Sequence, residues 1–198
     1  ACPWHVLADL GDASPDGGLR SGLESLLQTA LSKGLLADAA ISSNEAQRAA
    51  MWKIRHSVAE ATQQAGRGIT HDIAVPISKI PEFVRRVSPI LEQRFAGMRI
   101  VIVGHLGDGN LHFISLFSFD AWAAFPDPQA VIDEVHRLTY GVTMELGGTF
   151  SAEHGIGQYL VAEMRQYKSE VELSLMRSVK HALDPRGLFN PVKVIPQA

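Results

Sequence analysis

Two histidines, His105 and His112, stand seven residues apart and bracket the run Gly107-Asp-Gly-Asn110. Strand-like segments flank that run, Arg99 to Val103 before it and Leu111 to Phe117 after it. On an uninterrupted strand an odd separation sends two side chains to opposite faces. Gly-Asp-Gly-Asn is instead among the strongest turn compositions, because glycine supplies positive φ at no steric cost. The spacing therefore predicts a hairpin that returns the chain on itself and makes the histidines cross-strand neighbours on one face. An antiparallel pair fixed in this way is the element around which the remaining segments must pack.

Those segments alternate short strands with helices. Val6, Ala8 and Leu10 give Trp4 to Leu10 a period of two, which predicts a strand, followed by a Pro/Gly/Asp loop over Asp12 to Gly18. Leu19, Leu23, Leu26, Leu27, Ala30 and Leu31 follow helical spacing, with Gly34 placed to end the helix. A short strand at Ala39 to Ile41 is expected next. Ser42 and Glu45, at capping-box spacing, open a helix that turns Ala46, Ala50, Ile54, Val58 and Ala61 inward. A strand at His71 to Val75 leads to a helix carrying Ile80, Val84, Val87 and Leu91, which Pro89 kinks or ends early. Helices follow over Val131 to Leu146 and from about Glu170 to Leu183, the second closed by Asp184-Pro185 and Asn190-Pro191. The pattern predicts an α+β fold, with an antiparallel sheet, helices packed on one face and ferredoxin-like elements.

With 198 residues the chain is long enough for one domain, 1–198, that buries roughly 70% of its unfolded surface without a disulfide or structural metal. Net charge is −3, from 18 basic and 21 acidic residues, which gives no footprint for nucleic acid or an anionic membrane. No run of 18 apolar residues occurs. Cys2 is the single cysteine, so no internal disulfide forms, as befits a reducing compartment. Ala1-Cys2-Pro3 has no initiator Met and no basic leader, and it reads as a cut edge of a longer parent.

Two imidazoles presented from a rigid hairpin suit a divalent metal of the zinc, iron or manganese group. A third ligand is available in Gly147-Gly-Thr-Phe-Ser-Ala-Glu-His-Gly-Ile-Gly157, where glycines surround Glu153 and His154. Adjacent side chains diverge, so one of that pair can ligate while the other faces a reacting atom. The glycine spacing fits neither a P-loop nor the dinucleotide fingerprint, so phosphate cradling is discounted. Arg55, one step off the apolar stripe of its helix, offers a planar fork that suits a carboxylate; read alone, a surface arginine lying along its helix explains it as well.

Taken in order, Trp52-x-x-Arg55, His71-Asp72-x-Ala-Val-Pro76, His105-x-Gly-Asp-Gly-Asn-x-His112, Gly148-Thr-x-Ser-x-Glu153-His154-Gly-x-Gly157 and Asp184-Pro-x-x-x-x-Asn190-Pro resemble the carboxy-terminal domain of FAD-linked oxidases. That group includes D-lactate dehydrogenases, the glycolate oxidase flavin subunit and D-2-hydroxyglutarate dehydrogenase. The resemblance implies that FAD sits on an amino-terminal domain of the same parent, absent from this chain. It also implies a small D-2-hydroxy acid as substrate and its 2-oxo acid as product. By the same resemblance His105, His112 and Glu153 bind a divalent metal, zinc being the expected ion. His154 is the catalytic base and Arg55 grips the substrate carboxylate. Asn110 is assigned to substrate and cofactor contact, and Asn190 to cofactor contact. Electrons pass in this family to quinones, cytochromes, flavoproteins or oxygen. Cytoplasmic residence is implied, with peripheral attachment to an inner membrane or mitochondrial residence as alternatives, and homodimer formation is left open.

Three positions depart from the family pattern. Thr70 stands where many relatives have lysine, Ile114 where many have asparagine, and Val192 in Asn190-Pro-Val-Lys193 where glycine is usual. Losing a positive and a polar group predicts a substrate smaller or more apolar than 2-hydroxyglutarate. Two other functions compete with the dehydrogenase. One is a non-catalytic zinc-binding or assembly module. The other is a 2-His-1-carboxylate iron oxygenase, for which His105, His112 and Glu153 supply the ligand set but which calls for a double-stranded β-helix.

Overall fold

The computed structural model of the chain describes residues 4–11, 13 and 18–196. They fall into two compact units, Ala1–Ala61 and Thr62–Ala198. The loop expected over Asp12 to Gly18 and the edge at Ala1-Cys2-Pro3 lie largely outside the described residues.

In the first unit, α1 spans Leu19–Ser32 and α2 spans Glu45–His56. Gly34 has φ +68° after the end of α1, and Leu35 N–H donates to Ala30 O, so the predicted stop forms as a left-handed cap. The expected cap at Ser42 does not. Asn44 caps α2 instead, its side chain accepting from Gln47 N–H, and Gln47 Oε1 accepts from Ser43 N–H in return. The long helix expected beyond it breaks at Ser57, with α3 starting afresh at Val58–Ala65. Neither α1 nor α2 has a buried residue, and Ile54, expected to face inward, is 72% exposed. Trp4 to Leu10 and Ala39 to Ile41 are not strands. Period-two alternation is only half of what a strand needs, and neither segment pairs with the sheet. Polar contacts anchor the first of them: Asp9 accepts from the Arg48 guanidinium and from Trp52 Nε1.

The second unit is built on one sheet. β1 (Arg67–Ala74), β2 (Arg99–His105) and β3 (Asn110–Phe117) form three antiparallel strands in the order β1-β3-β2. The predicted hairpin is β2–β3, closed by residues 106–109. At its tip Gly109 has φ +79°, and a Cβ there would sit 2.2 Å from Val75 O, so the turn needs glycine for both conformation and space. α4 (Ile80–Arg94) follows a short 3-10 turn, and α5 (Phe119–Ala123), α6 (Pro128–Glu145), α7 (Val161–Tyr167) and α8 (Glu170–Leu183) complete the unit. Pro89 does not end α4, which continues five residues past it to Arg94. Its ring lies on the exposed side of the helix, and Arg85, whose carbonyl it frees, is exposed to water.

Register decides which side chains share a face. Ile69, His71 and Ile73 on β1 stand opposite Ser115, Phe113 and Leu111 on β3, and Ile100 and Ile102 on β2 join them. This face packs under α4 and α6. Phe83 meets Phe113 edge-to-face, and Val87, Leu91, Val131 and Val135 complete an apolar core. Each such side chain contributes about 1.5–3 kcal/mol by leaving water. The result is the α+β architecture anticipated, an antiparallel sheet with helices packed on one face. Among the described residues no helix is long and apolar enough to cross a membrane.

Candidate metal and catalytic centre

The opposite face of the sheet carries the polar residues. β1 contributes Thr70 and Asp72, β3 contributes Asn110, His112 and Ile114, and β2 contributes Val101, Val103 and His105. His105 pairs directly with Asn110 and His112 with Val103, because the turn holds four residues. The two histidines are thus diagonal neighbours on one face, ring centroids 5.8 Å apart, rather than directly opposed.

Glu153 and His154 arrive by a separate route. Gly148 lies so close to β1 that a Cβ would fall 2.3 Å from Ala74 O. The next residues run along the free edge of β1. Thr149 and Ala74 exchange backbone hydrogen bonds, and Ala152 N–H donates to Asp72 O. The Asp72 side chain then captures the following two amides, its Oδ2 accepting from Glu153 N–H at 2.8 Å and His154 N–H at 2.7 Å. Its Oδ1 accepts from Asn110 Nδ2 at 2.7 Å. Asp72 is only 8% exposed. Burial alone would raise its pKa, but the hydrogen bonds from His154, Asn110 and Glu153 together outweigh that and hold the carboxyl below its ordinary range.

These contacts assemble one cluster. Glu153 Oε1 lies 3.6 Å from His105 Nε2, and Glu153 Oε2 lies 3.4 Å from His112 Nε2. His112 Nδ1 and His154 Nδ1 each face the Asp72 carboxylate at 3.6 Å, and the two rings stack with centroids 5.6 Å apart. Asp72, His112, Glu153 and His154 each offer a donor atom within 4.8 Å of the others. Desolvation lowers the His112 pKa, so at neutral pH the ring is uncharged and presents a lone pair. A tetrahedral divalent ion with bonds of about 2.0–2.2 Å spaces its ligand atoms by about 3.3–3.6 Å, close to the separations between Glu153 and the two histidines. The group whose donor atoms converge is Asp72, His112, Glu153 and His154, with His105 adjoining it at Glu153, and side chains of these kinds can hold a divalent ion. His154, 66% exposed in its side chain, is open to a group carried outside this chain.

The predicted residues separate accordingly. His105, His112, Glu153 and His154 meet. Asn110 is 2% exposed, and its amide is directed at Asp72. Arg55 lies on α2 in the first unit. Asn190 lies beyond α8 in left-handed conformation, φ +45°. Its motif is a folding device: Asp184 accepts from Leu188 N–H and Phe189 N–H, both at 2.9 Å, and from Lys180 Nζ. Asp72, in the His71-Asp72 motif, joins the histidines and Glu153 although the sequence motif alone assigns it no role. Alternation along β1 was the available signal, since it sends Asp72 away from the buried His71 and onto the face of His112.

Residues 3–194 match the family described as FAD linked oxidases, C-terminal domain. Among similar proteins, D-2-hydroxyglutarate dehydrogenase of Xanthomonas citri pv. viticola is 32% identical over 97% of this chain and 40% of its own length. The mitochondrial D-2-hydroxyglutarate dehydrogenase of Arabidopsis thaliana is 34% identical over 90% of this chain and 30% of its own length. Its counterpart in Rattus norvegicus is 29% identical over 98% of this chain and 34% of its own length. The chain thus spans well under half of these relatives. With His105, His112, Glu153 and His154 gathered on one face of the sheet and a match over nearly its whole length, this chain belongs to the FAD-linked oxidase C-terminal domain family.

Proposed function

We propose that this chain is the substrate- and metal-binding part of an FAD-dependent dehydrogenase that oxidises a D-2-hydroxy acid to its 2-oxo acid. The observation that carries the reading is the convergence of His105, His112, Glu153 and His154 on one sheet face from two distant segments. A divalent ion held by His105, His112 and Glu153 would supply Lewis-acid polarisation of the 2-hydroxyl. A flavin, when bound, supplies the two-electron acceptor for the electron pair of the C2–H bond.

The chain's own side chains do the rest. His154 Nε2 takes the hydroxyl proton, since its Nδ1 side faces Asp72. Asp72 fixes the turn that carries this base, so the imidazole needs little reorganisation at the moment of reaction. Arg55 grips the substrate carboxylate, a role that rests on the match of Trp52-x-x-Arg55 to the family motif.

Beside His112 the same face continues with Thr70, Ile114 and Val101 in one row. That row holds no cation to pair with a second carboxylate, the next one along this face being Arg99 on β2. This supports a substrate side chain smaller or more apolar than that of 2-hydroxyglutarate, the acid after which several relatives are named. Steady-state assays of the full-length flavoprotein with an artificial acceptor are the test. The expected ranking places D-lactate or longer apolar 2-hydroxy acids above D-2-hydroxyglutarate in kcat/KM. The opposite ranking overturns the substrate reading, and inactivity on every 2-hydroxy acid overturns the dehydrogenase.

A further inference from the structure

We infer that Asp72 is the positioning residue that orients both imidazoles of the centre, directing the Nε2 lone pair of His112 to the metal and that of His154 to the substrate. The inference deepens the dehydrogenase reading and rests on it for the names of the two targets. Its geometry is independent of them.

Three features set Asp72 apart from the other acidic group of the cluster. It is buried where Glu153 is exposed. Its oxygens are already engaged, Oδ2 by two backbone amides and Oδ1 by Asn110 Nδ2, leaving little capacity for a metal bond. It also faces the same ring atom on both histidines, Nδ1 at 3.6 Å in each case. Those separations are too long for hydrogen bonds in the resting geometry, yet a buried carboxylate still favours the tautomer that puts the proton on the facing nitrogen. A proton on Nδ1 leaves Nε2 as the lone-pair donor. For His112 that is the atom beside Glu153 Oε2, and for His154 it is the atom on the outer side of the ring. A carboxylate behind a ligating imidazole is a common way to fix ring orientation and raise its basicity. Here one carboxylate serves a ligand and a base together. Asn110 supports it from the turn, where Asn110 N–H also donates to Asp108 Oδ1.

The test uses the full-length flavoprotein with 15N-labelled histidine, the two rings assigned through His112→Gln and His154→Gln. The wild type, stripped of metal, is expected to show protonated Nδ1 and unprotonated Nε2 at both positions. In Asp72→Asn, nearly isosteric but uncharged, the tautomers should become mixed. Zinc affinity, read by chelator competition, and kcat should each fall about 10- to 100-fold with KM changed far less. Protonated Nε2 at either ring of the wild type overturns the inference without any variant. So does an Asp72→Asn protein with kcat within about twofold of wild type. Complete loss of zinc in Asp72→Asn with unchanged tautomers would make Asp72 a ligand and also overturn it. A wild type that binds no zinc, with the tautomers as expected and kcat still lost on substitution, sinks the metal reading and leaves Asp72 as the orienting group.

Discussion

The two faces of the sheet both gather histidines, and they do opposite things with them. On the covered face His71 is fully buried against His136, with His71 Nε2 3.1 Å from His136 Nδ1, and Tyr140 stacks on His136. Among the described residues no carboxylate reaches His71, and burial pushes its pKa down to about 3. On the open face His105, His112 and His154 stand among carboxylates, partly or largely exposed. His71 and Asp72 are neighbours in sequence, yet alternation sends one into the core and the other to the centre. The residue type alone does not make a site. What makes one is access to water, a facing carboxylate and a lone pair left unspent.

The comparison is broken most strongly by removing the proposed base. His154→Gln in the full-length protein should lower kcat by about 100- to 10,000-fold. Because the side chain is exposed, unfolding free energy should move by no more than about 0.5 kcal/mol. A kcat within tenfold of wild type would remove His154 from the reaction. On the covered face the pattern reverses. Phe113→Ala, fully buried and edge-on to Phe83, should cost about 3–5 kcal/mol in denaturant unfolding. A loss below about 1 kcal/mol would mean that the helix face is not the core.

Acid should separate the faces next. His71 has a folded pKa of about 3 against an ordinary value of 6.5, so the unfolded chain binds the extra proton between those limits. Its contribution to stability is complete above pH 6.5 and is lost as pH falls towards 3, by at most about 1.4 kcal/mol per pH unit. Urea midpoints at pH 7 and pH 5 should therefore differ, and His71→Phe should shrink the difference. A difference unchanged by that substitution places the acid sensitivity elsewhere. The smallest effect belongs to the rim. Arg86, partly exposed, pairs with Glu145 across α4 and α6, and Arg86→Ala should change stability by less than about 1 kcal/mol. A larger loss would give surface ion pairs a weight that this account assigns to the apolar core.

How much was legible in sequence follows the same division. The β2–β3 hairpin is readable because Gly107-Asp-Gly-Asn110 imposes its geometry locally, and the end of α8 because Asp184-Pro185 closes it. The segments at 4–10 and 39–41 were misread because alternation does not say whether a partner strand exists. Pro89 does not end its helix, because a proline on a solvent-facing side leaves its orphaned carbonyl to water. At the site, His105 and His112 were fixed by the turn, and Glu153 and His154 by motif. Asp72 escaped because its role arises from contacts more than 80 residues away in the chain, with the amides of Glu153 and His154.

The central claim is that the open face holds a metal between the hairpin and the Glu153 turn. Anomalous diffraction from crystals of the full-length protein, collected on both sides of the zinc absorption edge, tests it most directly. One strong peak is expected within bonding distance of His105 Nε2, His112 Nε2 and Glu153. A zinc-replete crystal with no peak there, or with its peak at another site, would contradict it.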